Sequence, residues 1–377
     1  MVNQILMFLA VLSLVLTIWR WLVSARFPLH QRPLVSGPLP GVTLLKPLKG
    51  CNAETKRCLQ SWFAQRYPGT VQILCGVASS HDPVCRLVED LLAEYPGVDA
   101  RLVICGGNGG VNGKVSTLRE LEQHISQPLV IVSDADVEAP NDLAASIAPL
   151  LSAPGAGLVN CFYQLANPAT TAMRWEVIAI NADFWSQVLQ ARSIGPIDFA
   201  LGAVMAMPAT MLEQVGGFAP LADFLADDYE LGRNVARAGG RILFSTVVVD
   251  CREAPAGWEA VWKHQLRWAR TIRVCRPLPY FMSVLGNSTV FPLLWLLVEH
   301  SLTALIFFAG ASLVRMVSAA HQQKRLTRAT PHFWWFAPAK DLLDVMVWAA
   351  AFWGNHVEWH GQRYRAMAEG KLVKVNS

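Results

Sequence analysis

Pro128-Leu129-Val130-Ile131-Val132-Ser133-Asp134-Ala135-Asp136 is the stretch on which the fold of this chain turns. An apolar run of that length reads as a buried parallel strand. Open α/β sheets bind ligands just beyond the carboxyl ends of their strands. Asp134 and Asp136 stand there with one residue between them, so both can face a divalent cation that in turn holds a diphosphate. A D-x-D alone is weak evidence, because acidic pairs after a strand commonly cap a helix or meet solvent. Two later segments add weight to it: Ala226-Asp227-Asp228-Tyr229 and His264-Gln265-Leu266-Arg267-Trp268.

Outward from that stretch, residues 41–250 alternate strand-like and helix-like segments. Residues 42–46, 71–77, 101–105 and 129–132 read as strands, and 53–65, 83–94, 114–124 and 141–151 as the helices between them. That order predicts an α/β domain whose parallel sheet is covered on both faces. The following half is less regular, with a strand near 158–162, a helix near 169–189 and a strand near 201–207. Gly216-Gly217-Phe218 reads as a turn after a short helix starting at Pro208. The run Gly106-Gly107-Asn108-Gly109-Gly110 reads as a flexible loop, and its spacing does not fit a dinucleotide fingerprint.

The chain has 377 residues, 53% hydrophobic and only 16% charged, against about 25% charged in soluble proteins. Part of its surface is therefore expected to meet lipid. A net charge of +4 argues against a nucleic-acid partner. The eight cysteines show neither C-x-x-C nor zinc spacing, and read as reduced thiols of a cytosol-facing domain. No sequence feature speaks to oligomeric state.

Residues 5–23 are interrupted only by Ser13, Thr17 and Arg20 and can span a bilayer core of about 30 Å. A cleaved signal peptide is the competing reading, but the positive charges follow the apolar run instead of preceding it. Arg20, Arg26 and Arg32 place the next domain on the cytoplasmic side. A second apolar region, 280–320, is broken by Glu299-His300, and an ionisable group at mid-bilayer costs roughly 2.5–3.5 kcal/mol. A helical hairpin with those two residues at its turn avoids the cost; the alternative buries them in a polar cavity. Lys324, Arg325 and Arg328 then return to the cytoplasmic side. A third region, 333–353, is Trp-rich, carries Lys340, Asp341 and Asp344, and precedes Arg363, Arg365, Lys371 and Lys374, which suits a re-entrant or interfacial element. The expected organisation is an anchor over 1–25, a catalytic domain over 38–275, a membrane hairpin over 276–320, and a membrane-associated helix with a basic tail over 330–377.

Transfer of a glycosyl group from a nucleotide sugar makes three demands. The leaving diphosphate must be neutralised, the acceptor hydroxyl must lose its proton, and the anomeric carbon must be held in line. Asp134 and Asp136 suit the first, through Mg²⁺ or Mn²⁺. Asp228, opening a helix, suits the second as general base; its plain alternative is a carboxylate that only favours the helix dipole. Arg267 and Trp268 share a helix with Trp258, Trp262, Arg270 and Arg273. That helix can set Arg267 against phosphates and Trp268 against the acceptor, or simply lie on a membrane or show solvent a basic face. Lys114 can reach phosphates as a point charge, or be an ordinary surface lysine.

Five segments occur together and in order: Leu45-Lys46-Pro47-Leu48-Lys49-Gly50, Gly110-Val111-Asn112-Gly113-Lys114, Ser133-Asp134-Ala135-Asp136, Ala226-Asp227-Asp228-Tyr229 and Arg267-Trp268. As a set, over roughly residues 40–275, they resemble the ceramide glucosyltransferases. That family belongs to a larger group of inverting, membrane-anchored transferases that includes cellulose and hyaluronan synthases. Bacterial hopanoid-biosynthesis glycosyltransferases look similar too, including their His-x-Leu-Arg-Trp-Ala-Arg form of the last motif. The resemblance implies a nucleotide-sugar-binding, Rossmann-like GT-A catalytic domain with an N-terminal transmembrane helix and C-terminal membrane helices. It implies that Lys46, Pro47, Lys49, Asn112, Lys114, Asp134, Asp227, Arg267 and Trp268 contact substrates, that Asp134 and Asp136 hold the metal, and that Asp228 is the base. The chain departs from the family at two points. The first family aspartate falls on Ser79, with Asp82 near enough to substitute, and the last signature opens with His264 instead of Gln or Arg. Gly361-Gln362-Arg363-Tyr364-Arg365 resembles a C-terminal family segment, which brings Arg363 or Arg365 toward donor or lipid.

The expected activity is inverting transfer of a hexose, glucose from UDP-glucose or another UDP-hexose, to a hydroxyl of a membrane lipid such as ceramide at the cytoplasmic leaflet. The expected setting is a multi-pass protein of a bacterial inner membrane. Two alternatives stand beside it: N-acetylhexosamine transfer to a hopanoid polyol, and a membrane-anchored nucleotide-sugar-binding scaffold without turnover.

Overall fold

The structure, a computed structural model, describes residues 1–33, 37–106, 110–327, 333–359, 362–367 and 370–374. Arg328, Gly361 and the centre of the glycine-rich loop, 107–109, lie outside the described residues.

Strands β1 (Val42–Leu48), β2 (Val71–Val77), β3 (Asp99–Ile104) and β4 (Leu129–Ser133) pair in the order β3-β2-β1-β4, all parallel. Every residue of β1 and β4 is buried. Alternate side chains feed two separate cores: Leu44, Ile73 and Ile131 join Trp62 and Val88 in one, while Leu45, Leu74, Val130 and Val132 join Leu118 and Leu212 in the other. That two-sided burial is why these strands read as unbroken apolar runs. The helices between them are Thr55–Phe63, Val84–Glu94 and Gly113–Glu122.

The rest of the sheet corrects the all-parallel expectation. After β5 (Val137–Glu138) and β6 (Ala156–Leu165), β7 (Val204–Pro208) runs antiparallel to both β4 and β6, and β8 (Arg241–Cys251) runs antiparallel to β5. The full order is β3-β2-β1-β4-β7-β6-β8-β5. An apolar run carries no mark of strand direction, and 241–251 was not anticipated as a strand at all.

The chain divides into two compact units. Residues 28–164 and 196–254 carry this sheet; residues 1–27, 165–195 and 255–377 form the second unit. Segments 165–195 and 255–275, placed by sequence within 38–275, thus fall in the second. There, helices Val2–Arg26 and Leu302–Leu326 are long and apolar enough to cross a membrane, and Pro277–Gly286 with Val290–Glu299 makes a pair bent by 56°. Glu299 ends its helix, His300 turns the chain at φ +51°, and the Ser301 hydroxyl caps the next helix by accepting from the Ala304 amide. Helix Val2–Arg26 buries Ser13, Thr17, Arg20 and Ser24 and exposes Ile5, Phe8, Val11, Val15 and Leu22. Helix Thr171–Ile178 continues through a π-turn, Ala179–Phe184, into helix Trp185–Ile194. Within the basic tail, His356–Trp359, Gln362–Ala366 and Leu372–Lys374 pair as a small antiparallel sheet.

Candidate active site

The D-x-D leaves β4 under several restraints. The Asp134 amide donates to the Ala203 carbonyl at 3.3 Å, and the Arg252 amide to the Asp136 carbonyl at 2.9 Å. From within the domain the Lys46 ammonium donates to Ser133 Oγ at 3.2 Å and to the Asp134 carbonyl, with the Trp62 ring 4.8 Å away. Lys46 is only 1% exposed. Its contacts are with the turn that follows β4.

Helix Gly113–Glu122 delivers Lys114. Its N-cap, Asn112, is fully buried, accepts from the Lys114 and Val115 amides, and donates from Nδ2 to the Phe224 carbonyl at 2.9 Å. Asn112 therefore fixes the start of this helix against the loop before Asp227. Lys114 Nζ lies 2.7 Å from Asp134 Oδ1 and 3.1 Å from Asp227 Oδ2, so it bridges the two acidic motifs.

Asp227 and Asp228 open helix Asp227–Arg237, where the macrodipole favours negative charge. Gly232 lets that helix approach segment 199–200, because a Cβ there would lie 2.2 Å from the Ala200 nitrogen. The approach brings Asp228 over Gly202: a Cβ on Gly202 would stand 3.0 Å from Asp228 Oδ2 and 3.4 Å from Asp134 Oδ2. Carboxylates from two distant motifs thus border one point. Asp228 Oδ1 accepts from the Tyr229 amide at 2.8 Å, which leaves Oδ2 as the oxygen on the Gly202 side.

The electrostatics follow from four carboxylates gathered with two ammonium groups. Burial, then repulsion from Asp134, pushes the Asp136 pKa up to about 6. Burial, then Asp227, lifts Asp228 to about 6. Burial lowers Lys46 to about 8 against the pull of Asp134 and Asp136. For Lys114 burial also works against the charge, but Asp134, Asp227 and Asp228 outweigh it and hold its pKa above the ordinary value. The two carboxyls are lifted first by burial and then by the neighbouring negative charge, and that charge is what a divalent cation relieves. Asp134 and Asp136 would offer such an ion two carboxylates.

Two further residues face this cluster and carried no sequence signal. Tyr163 of β6 and Cys251 of β8 are both pushed well above their ordinary pKa, first by burial and then by neighbouring acids that include Asp134 and Asp136. Gly202 was likewise missed. Among the other expected residues, Pro47 is buried in β1 opposite Gly76, and Lys49 is exposed just beyond the strand. Ser79 is exposed after β2, while the Asp82 carboxylate accepts from the Gly50 and Val84 amides at 3.0 Å. Asp82 thus ties the loop after β1 to the start of a helix.

In the second unit, helix Trp258–Cys275 carries His264, Arg267 and Trp268, all half-buried. His264 Nδ1 is 2.7 Å from Glu176 Oε1, and its ring meets Trp268 edge-on with centroids 4.8 Å apart. Arg270 and Arg273 are engaged with His356, Trp353 and Asn355 and so present no bare basic face. The backbone of Arg363 lies in strand Gln362–Ala366, and its side chain is outside the described residues. Asp183, Asp341 and Asp344 also converge closely enough to suit a cation, but Arg20, Arg315 and Lys340 already ion-pair with that group.

Residues 5–372 match glycosyl transferase family 21, and the chain belongs to that family. It is 25% identical over 277 residues to ceramide glucosyltransferase 3 of Caenorhabditis elegans, covering 71% of this chain and 58% of that protein. It is 27% identical over 253 residues to beta-monoglucosyldiacylglycerol synthase of Synechocystis sp., covering 64% and 51%. The chain therefore spans little more than half the length of these two relatives. Among solved structures, mannosyltransferase PcManGT from Pyrobaculum calidifontis, in complex with GDP-Man and Mn²⁺, covers 94% of this chain and 99% of its own, with a TM-score of 0.56 and 18% identity. That likeness is one of fold, and the mixed sheet is of the GT-A type.

Proposed function

We propose that this chain transfers glucose from UDP-glucose, with inversion, to a hydroxyl of a membrane lipid, ceramide in the first instance. The observation that carries the reading is the meeting of Asp134 and Asp228 at Gly202, with Lys114 bridging to Asp227. Asp228 Oδ2 takes the proton of the acceptor hydroxyl as its oxygen bonds to the anomeric carbon, and the electron pair of the breaking C–O bond leaves with the diphosphate. Asp134 and Asp136 would hold Mg²⁺ or Mn²⁺, which when bound neutralises charge on the departing diphosphate. Lys114 holds Asp134 in place and adds a fixed positive charge beside it. Lys46 holds the turn from behind. The relatives support a lipid acceptor: one is named for ceramide, the other for a glucosylated diacylglycerol. Helix Val2–Arg26, with its polar face inside and its apolar face outside, suits a protein whose acceptor arrives from the bilayer at the cytoplasmic leaflet.

The test is mass spectrometry of lipids from a bacterial host expressing the chain, with Asp228→Asn as control. A hexosylceramide absent from the control supports the reading. An N-acetylhexosaminyl hopanoid would reassign donor and acceptor, and no new glycolipid with any acceptor supplied would leave a nucleotide-sugar-binding protein. Transfer in purified membranes should stop in EDTA and return with Mn²⁺; undiminished transfer in chelator would remove the cation.

A further inference from the structure

Glu176 belongs to none of the five motifs, yet it is fully buried on the helix that packs against the signature helix. Its Oε1 accepts from Gln265 Nε2 at 2.8 Å and meets His264 Nδ1 at 2.7 Å. The same kinked helix supports the signature segment at three more points: Trp175 stacks on Trp258 and on Trp262, at 5.9 and 6.3 Å, and Phe184, ending the π-turn, packs on Trp268 at 6.1 Å. π-Turns of this kind are frequent at functional sites.

A fold-holding contact alone does not call for a carboxylate here. Glu176 Oε2 is buried with no hydrogen-bond partner among the described residues, and an unsatisfied buried carboxylate oxygen costs stability. A glutamine of the same shape would join the helices through its carbonyl without burying a charge, although its amide nitrogen would stand in the same unpartnered place. What the carboxylate adds is direction. An ionised carboxylate only accepts, so Nδ1 of His264 must carry its proton toward Glu176, and Nε2 is left as the ring's remaining acceptor. A neutral ring held this way can accept from a hydroxyl but offers nothing to a phosphate.

We propose that Glu176 is a positioning residue: its buried carboxylate fixes His264 as the Nδ1–H tautomer, so that Nε2 accepts a hydrogen bond from the hydroxyl-bearing head of the lipid acceptor. The acceptor half rests on the function proposed above; the tautomer half does not.

The experiment uses the full chain in lipid vesicles and compares Glu176→Gln, Glu176→Ala, His264→Gln and the Glu176→Gln/His264→Gln pair. The apparent KM for ceramide should rise about tenfold in Glu176→Gln, as for one lost hydrogen bond, with the KM for UDP-glucose within about twofold. Since Glu176 acts through His264, the pair should be no worse than His264→Gln alone. Losses that multiply, or a raised donor KM with an unchanged acceptor KM, overturn the proposal. ¹⁵N spectra of histidine-labelled protein in detergent, assigned by the signal missing in His264→Gln, read the tautomer without turnover. A protonated Nδ1 with a bare Nε2 is expected, even if no transferase activity is found. A bare Nδ1 overturns the proposal whether or not the variants fold.

Discussion

Gly202→Ala tests the centre of the site with one methyl group. The backbone at Gly202 is not in the left-handed region, so alanine meets no main-chain strain there, and loss of unfolded-state freedom should stabilise the fold by about 0.4–1 kcal/mol. The added Cβ would sit 3.0 Å from Asp228 Oδ2 and 3.4 Å from Asp134 Oδ2, so Asp228 must retreat by a few tenths of an ångström to restore ordinary contact at about 3.4 Å. Its other oxygen is tied to the Tyr229 amide, so the carboxylate cannot simply rotate away. A displacement of 1 Å at a reacting group costs on the order of 100-fold; a third of that corresponds to roughly five-fold in kcat. The methyl also takes water from Asp228, whose carboxyl burial already disfavours in its charged form, and this adds to the loss. The assay is transfer of radiolabelled hexose from UDP-glucose into extracted lipid, beside thermal unfolding in detergent. Lower turnover with an unchanged or raised Tm is expected. Turnover within about twofold of the parent, with Tm unchanged, would show that Asp134 and Asp228 do not work across this point.

Two further predictions follow from the charges. Asp228 is held at about 6 and serves as base only when unprotonated, so transfer should fall about tenfold per pH unit below that value. Asp227→Asn removes a repelling charge and should move this acid limb to lower pH; a limb that stays put would reject the electrostatic account. The sign for stability is opposite. A folded pKa of about 6 against about 3.9 unfolded means that the native state takes up protons between them, so in chelator this residue adds stability as pH falls through that window. In the second unit, Arg315→Met takes from Asp183 and Asp341 a guanidinium 2.8 Å away, leaves them to Arg20 and Lys340, and should cost about 3 kcal/mol, the low end for a broken buried pair. Adding Asp341→Asn should recover part of it; an Arg315→Met protein that melts at the parental temperature would show the network to be dispensable.

The plainest apolar runs in the sequence, β1, β2 and β4, belong to strands buried on both faces. Leu44 and Leu45 enter different cores, so a polar residue in β1 needs a bonded partner, as Thr43 has in Gln72 and Lys46 in the turn after β4. β8 mixes intermediate and buried positions and ends in Asp250-Cys251, which blurs both the run and the alternation. An acid after a strand or at a helix start, taken singly, has commoner uses; the carboxylates were legible because their motifs occur together and in order. Depth was not. Lys46 and Asn112 are both buried, which their motif positions do not show, because sequence order says nothing of which side of a turn a side chain takes. Gly202 and Tyr163 acquire their place only when β6 and β7 come beside β4.

The N-terminal helix shows how far spacing can be pressed. By hydropathy, Ser13, Thr17 and Arg20 are blemishes in an apolar span. With Ser24 they recur every three or four residues, the separation that puts side chains on one face of a helix. In water a helix turns such a face outward. Here all four are buried, while Ile5, Phe8, Val11, Val15 and Leu22 face out. The buried stripe is also where the helix finds its partners: Ser24 Oγ receives Gln322 Nε2, Thr17 donates to the Gly286 carbonyl, and Arg20 pairs with Asp183 at 3.3 Å. Water as the surrounding medium would penalise both faces, since apolar surface would be exposed and charges buried. Hydrocarbon penalises neither, because intramembrane polar groups are kept where they pair with one another in the interior of the bundle. The residues that weaken the hydropathy signal are therefore those that say which way the helix faces and what solvent surrounds it.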